Sequence, residues 1–138
     1  MDAKTMREKL EQAKGAADFA AETEDLFAQL APDAPNFPLV RVLLEFMEEN
    51  PGLDYGSPGP LAHFVEKYFG RGFERELVES LERHATPPTT WMLNRLINGT
   101  KEPRERARLV DLMRAIERSR DTDAETRERA KRFLERLG

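Results

Sequence analysis

The chain has no cysteine in its 138 residues. Disulfides, thiolate zinc sites, iron–sulfur clusters and cysteine nucleophiles are therefore all excluded. Histidine is almost as scarce: there are two, His63 and His84, and neither stands in a metal-ligand spacing such as H-E-x-x-H. No metal and no cofactor is expected. No apolar run approaches the roughly 18 residues that a membrane helix needs. Residues 1–10 mix acid and base and lack the apolar core of a secretion signal. The expectation is a cytoplasmic protein that does not touch the membrane. Alternation of apolar and polar residues is also short-lived, and β-branched residues are few, so strands are not expected.

Charge and helix punctuation are plentiful. Charged residues make up 35% of the chain, against about 25% in typical proteins. The net charge is −4, but it is unevenly placed. Residues 1–69 carry 6 Lys and Arg against 13 Asp and Glu, a net of −7. Residues 70–138 carry 16 against 13, a net of +3. An acidic front half opposes nucleic acid and suits a basic partner.

The periodicity predicts helices and little else. The stretch 3–31 divides at Gly15, the second helix lying near 17–31, and its weakly apolar start is expected to pack loosely. Pro32 and Pro35 break the chain. Asn36 and Pro38 then open a helix over 37–49, apolar around most of its circumference. Ser57 as cap and Pro58 in the first turn open a helix over 58–69, with Gly59 inside that turn and Gly70 closing it. Helices follow over 72–84, 88–98, 102–119 and 123–137, the third of these opened by Thr100 and Pro103, the last by the 121–123 Asp-Thr-Asp cap.

These make one all-α domain of seven to eight helices over residues 1–138. Residues 1–36 form N-terminal helices, and residues 37–138 form three antiparallel pairs that start 30 to 35 residues apart. Two architectures fit: a short HEAT-like solenoid or a compact helical bundle.

Residues with chemical potential are few. His84 ends a helix, where a cation suits the dipole. His63 lies between Leu61 and Phe64, beside an apolar face. The turn 55–60, Tyr-Gly-Ser-Pro-Gly-Pro, has two glycines but no P-loop lysine and no preceding strand. Glu45 and Glu49 share a helix face with Glu48 beside them, and like charges at a helix C-terminus gain nothing locally. A cationic partner would explain them. Trp91, Asn94, Arg95 and Asn98 fall at i, i+3, i+4 and i+7, so they form either a recognition patch or a polar seam between helices. Residues 101–138 hold 12 Lys and Arg, yet also 9 Asp and Glu. Glu125 with Arg129 and Glu128 with Arg132 are spaced for helical ion pairs. No aromatic residue is interleaved with the bases for stacking on nucleotides, so nucleic acid is not the expected partner.

Two segments, residues 53–68 (LDYGSPGPLAHFVEKY) and residues 91–98 (WMLNRLIN), resemble stretches of small all-α immunity proteins from bacterial polymorphic-toxin and contact-dependent growth inhibition systems. The resemblance covers about a sixth of the chain tightly, residues 37–120 loosely, and not residues 1–36. It implies a non-catalytic antitoxin that binds the C-terminal toxin domain delivered by a sibling cell. It carries over Ser57, Pro58, Gly59, His63, Phe64 and Glu66 from the first block, and Trp91, Asn94, Arg95 and Asn98 from the second. Of these, Ser57, His63, Glu66, Trp91, Asn94, Arg95 and Asn98 are read as a structural polar seam. The partner surface is then expected at Glu45, Glu48, Glu49, Asp54 and Tyr55, where acidity suits a basic nuclease domain. The alternatives are a helical adaptor with no toxin partner, and a small-ligand binder or enzyme at the 55–60 turn.

Overall fold

The computed structural model describes residues 1–30, 36–56 and 59–137. Among them the chain is all-α, with eight helices and no strand: α1 (Ala3–Ala13), α2 (Phe19–Ala28), α3 (Pro38–Glu49), α4 (Pro60–Glu66), α5 (Phe73–Arg83), α6 (Pro87–Gly99), α7 (Pro103–Arg118) and α8 (Ala124–Arg136). None of them is long and apolar enough to cross a membrane. Two compact units, Met1–Glu76 and Leu77–Gly138, divide within α5.

Four helices begin on a proline: Pro38, Pro60, Pro87 and Pro103. A first-turn residue has no intrahelical partner for its N–H, so proline loses nothing there and its fixed φ suits the helix. Side chains cap most of the other starts. Asp2 accepts from the Thr5 N–H, Asp18 from that of Ala21, and Asp123 from that of Thr126.

In the N-terminal unit, α1 packs on α2 and α3, and α4 packs on the same two helices from the other side, which closes a four-helix ring. The apolar circumference of α3 supplies most of its core: Leu39, Val40, Leu43, Leu44, Phe46 and Met47 are buried. Although α1 is weakly apolar, Met6 and Leu10 stand one turn apart on its inner face and are both 0% exposed. Phe19 of α2 stacks on Phe46 at 5.8 Å between ring centres and meets Tyr55 edge-on at 5.6 Å.

In the C-terminal unit, α6, α7 and α8 each pack on the other two. Met92, Leu93, Leu96 and Ile97 of α6 meet Leu109, Met113 and Ile116 of α7 and Ala130 and Phe133 of α8 in the core. Each unit is thus a small bundle, the second of the two architectures that the sequence allows.

Several helix starts differ from the sequence reading. Phe37, not Asn36, occupies the N-cap of α3, and the Asn36 carbonyl accepts from the Leu39 N–H at 3.0 Å. α4 starts at Pro60, so Gly59 is its N-cap, outside the first turn, with φ +89°. Ser57 and Pro58, expected to open that helix, lie outside the described residues. α4 also ends at Glu66, and the backbone turns through to Gly70 at φ +78°. Thr100 serves the end of α6, donating from its hydroxyl to the Leu96 carbonyl at 2.7 Å. Glu102 caps α7 instead, accepting from the N–H groups of Arg104 and Glu105. One residue before the proline, its two carboxylate oxygens each take one of the free first-turn N–H groups.

The start of α6 carries a reciprocal cap. The Thr86 hydroxyl accepts from the Thr89 N–H at 3.3 Å, and the Thr89 hydroxyl accepts from the Thr86 N–H at 3.2 Å. Both residues are fully buried, so water cannot replace either bond. Thr86→Val keeps the shape and removes the cap. It is expected to cost about 1–2 kcal/mol in denaturant unfolding, while Thr86→Ser stays near wild type.

Asp123 gives α8 a pH dependence. Burial pushes its carboxyl up, but the hydrogen bonds from the Thr126 N–H and hydroxyl, with the His84 charge nearby, hold it below the ordinary carboxylate value. A lowered folded value means that the contribution is complete above the unfolded pKa of about 3.9 and is lost as pH falls through the folded one. Asp123→Asn keeps a competent cap without the titration. Its stability is therefore expected to fall less steeply than wild type below pH 4 in acid unfolding.

Candidate functional site

The acidic end of α3 does not need an external cation. Glu45 Oε1 lies 3.2 Å from Arg41 Nε on the same helix. Glu49 accepts a hydrogen bond from Arg7 of α1, and this contact raises the Arg7 guanidinium above its ordinary value. Glu48 is half-buried and already engaged within the chain. Asp54 is exposed, and its Oδ1 accepts from the Gly56 N–H at 3.0 Å.

Tyr55 corrects the sequence reading more sharply. The sequence places it on a partner surface, yet it is 6% exposed. Its ring packs against Phe19, its hydroxyl donates to the Asn50 carbonyl at 2.6 Å, and burial pushes its phenol up. A large ring followed by a tight glycine turn is inserted into the core to close the loop after α3.

The glycines of that turn serve the backbone's approach to itself. A Cβ on Gly59 would stand 1.7 Å from the Tyr55 carbonyl oxygen, and one on Gly56 2.9 Å from the Gly59 Cα. Both residues have positive φ.

Uncompensated acidity is found on α2. Its sequence, FAAETEDLFA, has no base, so no i, i+4 ion pair can form within it. Glu22, Glu24 and Asp25 are all exposed, and among the described residues none has an ion-pair partner. Charge counting over residues 1–69 flags the acidity but not its address. The missing base in α2 is the signal that singles out this helix.

Between α2 and α4 runs an open groove of about 340 Å³. Phe27 and Phe64 stack in it at 5.1 Å between ring centres. Glu24 lies on its α2 side, and His63 and Lys67 lie on its α4 side, with the Lys67 ammonium 5.5 Å from the centre of the Phe64 ring. Gly59 and Pro60 form one end. The groove adjoins the 55–60 turn to which the sequence points.

The described members of the polar set differ in exposure. His63, Arg95 and Asn98 are exposed, whereas Glu66, Asn94 and Trp91 are half-buried. Glu66 and Arg95 each have a partner within the chain. Arg95 also holds its guanidinium 4.9 Å from the centre of the Trp91 ring. Ser57 lies outside the described residues.

The C-terminal unit has its own groove of about 440 Å³, between the last turns of α5 and α7. His84 and Asp121 stand on its rim over Leu81, Leu112 and Ile116. On α8, Arg129 pairs with Glu125 at 3.2 Å and Arg132 with Glu128 at 3.5 Å, as their spacing predicts. Among the described residues, no cluster of three His, Asp or Glu has the arrangement of a metal site.

Compared with family models, with curated proteins and with solved structures, the chain matches none.

Proposed function

We propose that this chain is an immunity protein, an antidote that binds the toxin domain of a sibling cell's polymorphic toxin in the cytoplasm and blocks it without catalysis. The uncompensated carboxylates of α2 are the observation that supports this reading most. Three exposed acids on one short helix attract a basic surface, and among the described residues none of the three is held in an ion pair, although Lys9 lines the groove beside Glu22 and Asp25 and Lys67 the groove beside Glu24. Nuclease toxins carry such surfaces because they must hold phosphates. The two family-like segments supply the second support.

In this reading the docking face centres on Glu22, Glu24 and Asp25. Glu45 and Glu49 stand outside it, because Arg41 and Arg7 already neutralise them. Phe69, at 48% exposed, adds a large apolar side chain to the surface of the same unit.

The test is the association rate with the protein that co-purifies at equal stoichiometry from the source cell. Rising salt is expected to slow association. Reversal of Glu22, Glu24 and Asp25 to Lys is expected to slow it about tenfold at low salt. Reversal of Glu45 and Glu49 is expected to change it far less. A rate insensitive to both salt and the α2 reversal would overturn the docking face. A partner unconnected with toxin delivery would favour the helical adaptor.

A further inference from the structure

The groove between α2 and α4 has a polarity that α2 alone does not. Its floor is the stacked pair Phe27 and Phe64. Glu24 stands on one side and Lys67 on the other, with His63 one turn before Lys67 on the same face. Among the described residues, neither Glu24 nor Lys67 forms an ion pair. Opposite charges are therefore held apart with open space and aromatic surface between them. In the unfilled groove Lys67 has, among the described residues, only its contact with the Phe64 ring, and Glu24 faces open solvent. Filled by a group of matched polarity, the groove gains from both charges.

The volume of about 340 Å³ lies near the lower end of ligand-binding cavities and suits one large side chain. Phe64 is buried between Phe27 and Lys67, so the half-buried Phe27 offers the exposed ring surface, and a phenyl ring favours another ring by offset or edge-on stacking. Hot spots of protein interfaces have this composition, an aromatic anchor in a pocket ringed by polar groups. Resting on the antidote reading, we propose that the groove seats one aromatic side chain of the toxin domain, flanked by a base that pairs with Glu24 and a carboxylate that pairs with Lys67. The α2 carboxylates bring a basic surface near, and the groove then sets its register by demanding a ring and one acid within that surface.

Three capped tripeptides test this against the full chain by NMR titration: Asp-Trp-Lys, Lys-Trp-Lys and Asp-Trp-Asp. The mixed-charge peptide is expected to move the resonances of Phe27, Gly59 and Phe64. At low salt it is expected to bind about threefold tighter than either like-charged peptide, the size of one exposed ion pair. Lys67→Glu is expected to transfer the preference to Lys-Trp-Lys, and Glu24→Lys to Asp-Trp-Asp. Both positions are exposed, so neither change threatens the fold. Silence at the groove with millimolar peptide would overturn the proposal, and so would a preference that neither variant alters. Salt-sensitive partner docking through α2 with a groove that no peptide perturbs would overturn the groove alone. Peptide binding with the expected preferences, but no toxic partner in the cell, would uphold the groove and overturn the antidote reading.

Discussion

Gly59→Ala is expected to destabilise the N-terminal unit by about 3 kcal/mol or more, with a fall in Tm on the order of 10 °C. Two costs add. The backbone at φ +89° is one that side-chain-bearing residues rarely adopt. The new Cβ would also stand 1.7 Å from the Tyr55 carbonyl oxygen and 2.7 Å from its carbon. Those are backbone atoms of a residue fixed twice over, by its ring against Phe19 and its hydroxyl on the Asn50 carbonyl. They cannot give way cheaply. Gly70→Ala is the control, because Gly70 has φ +78° but no atom within 4 Å of a Cβ. It should cost only about 1 kcal/mol. Thermal unfolding of the two variants side by side isolates the clash. Equal effects would mean that the turn does not close on the Tyr55 carbonyl.

Phe46→Ala is expected to cost about 4 kcal/mol, the usual loss for a buried phenyl. Phe46 is 0% exposed and stacks on Phe19, which in turn supports Tyr55. Removing it leaves a cavity beneath α2 and loosens the loop after α3. Phe27→Ala makes the contrast. Phe27 is half-buried and stacks on Phe64, so its loss should cost clearly less stability while stripping the groove of half its floor. Chemical denaturation measures both. A Phe27→Ala penalty as large as that of Phe46→Ala would show that Phe27 belongs to the core with Phe64.

The helices were legible because their punctuation is local. A proline opens four of them, and an apolar stripe marks the buried face of α3, α4, α6 and α7. Errors arose where two residue types compete for one position. Ser57 and Pro58 make as good a start signal as Gly59 and Pro60, and only the self-approach of the turn at Gly59 places the helix start two residues later. Thr100 and Glu102 compete likewise, and the helix that already ends at Thr100 takes the hydroxyl.

The site was less legible because its determinants are non-local. Arg7 and Glu49 are 42 residues apart, and nothing in the spacing says that they meet. Their pairing removes the motive for an external cation at Glu49. Tyr55 follows the same logic: beside Asp54 and Gly56 it reads as a surface loop residue, yet the loop folds its ring inward on Phe19. The stack of Phe27 on Phe64, which makes the groove, likewise joins helices from distant parts of the chain. Lys67, an isolated lysine at a helix end, carries no sequence pattern that would place it on the groove.

The central claim is that this chain silences a toxin by binding it through α2. Growth rescue tests it most directly. The C-terminal domain of the co-purifying protein is expressed alone, with this chain, and with the chain reversed to Lys at Glu22, Glu24 and Asp25. The account predicts arrest alone, growth with the wild-type chain, and arrest again when the reversed chain is expressed at equal level. A domain that does not arrest growth, or arrest that the wild-type chain fails to relieve, would contradict it.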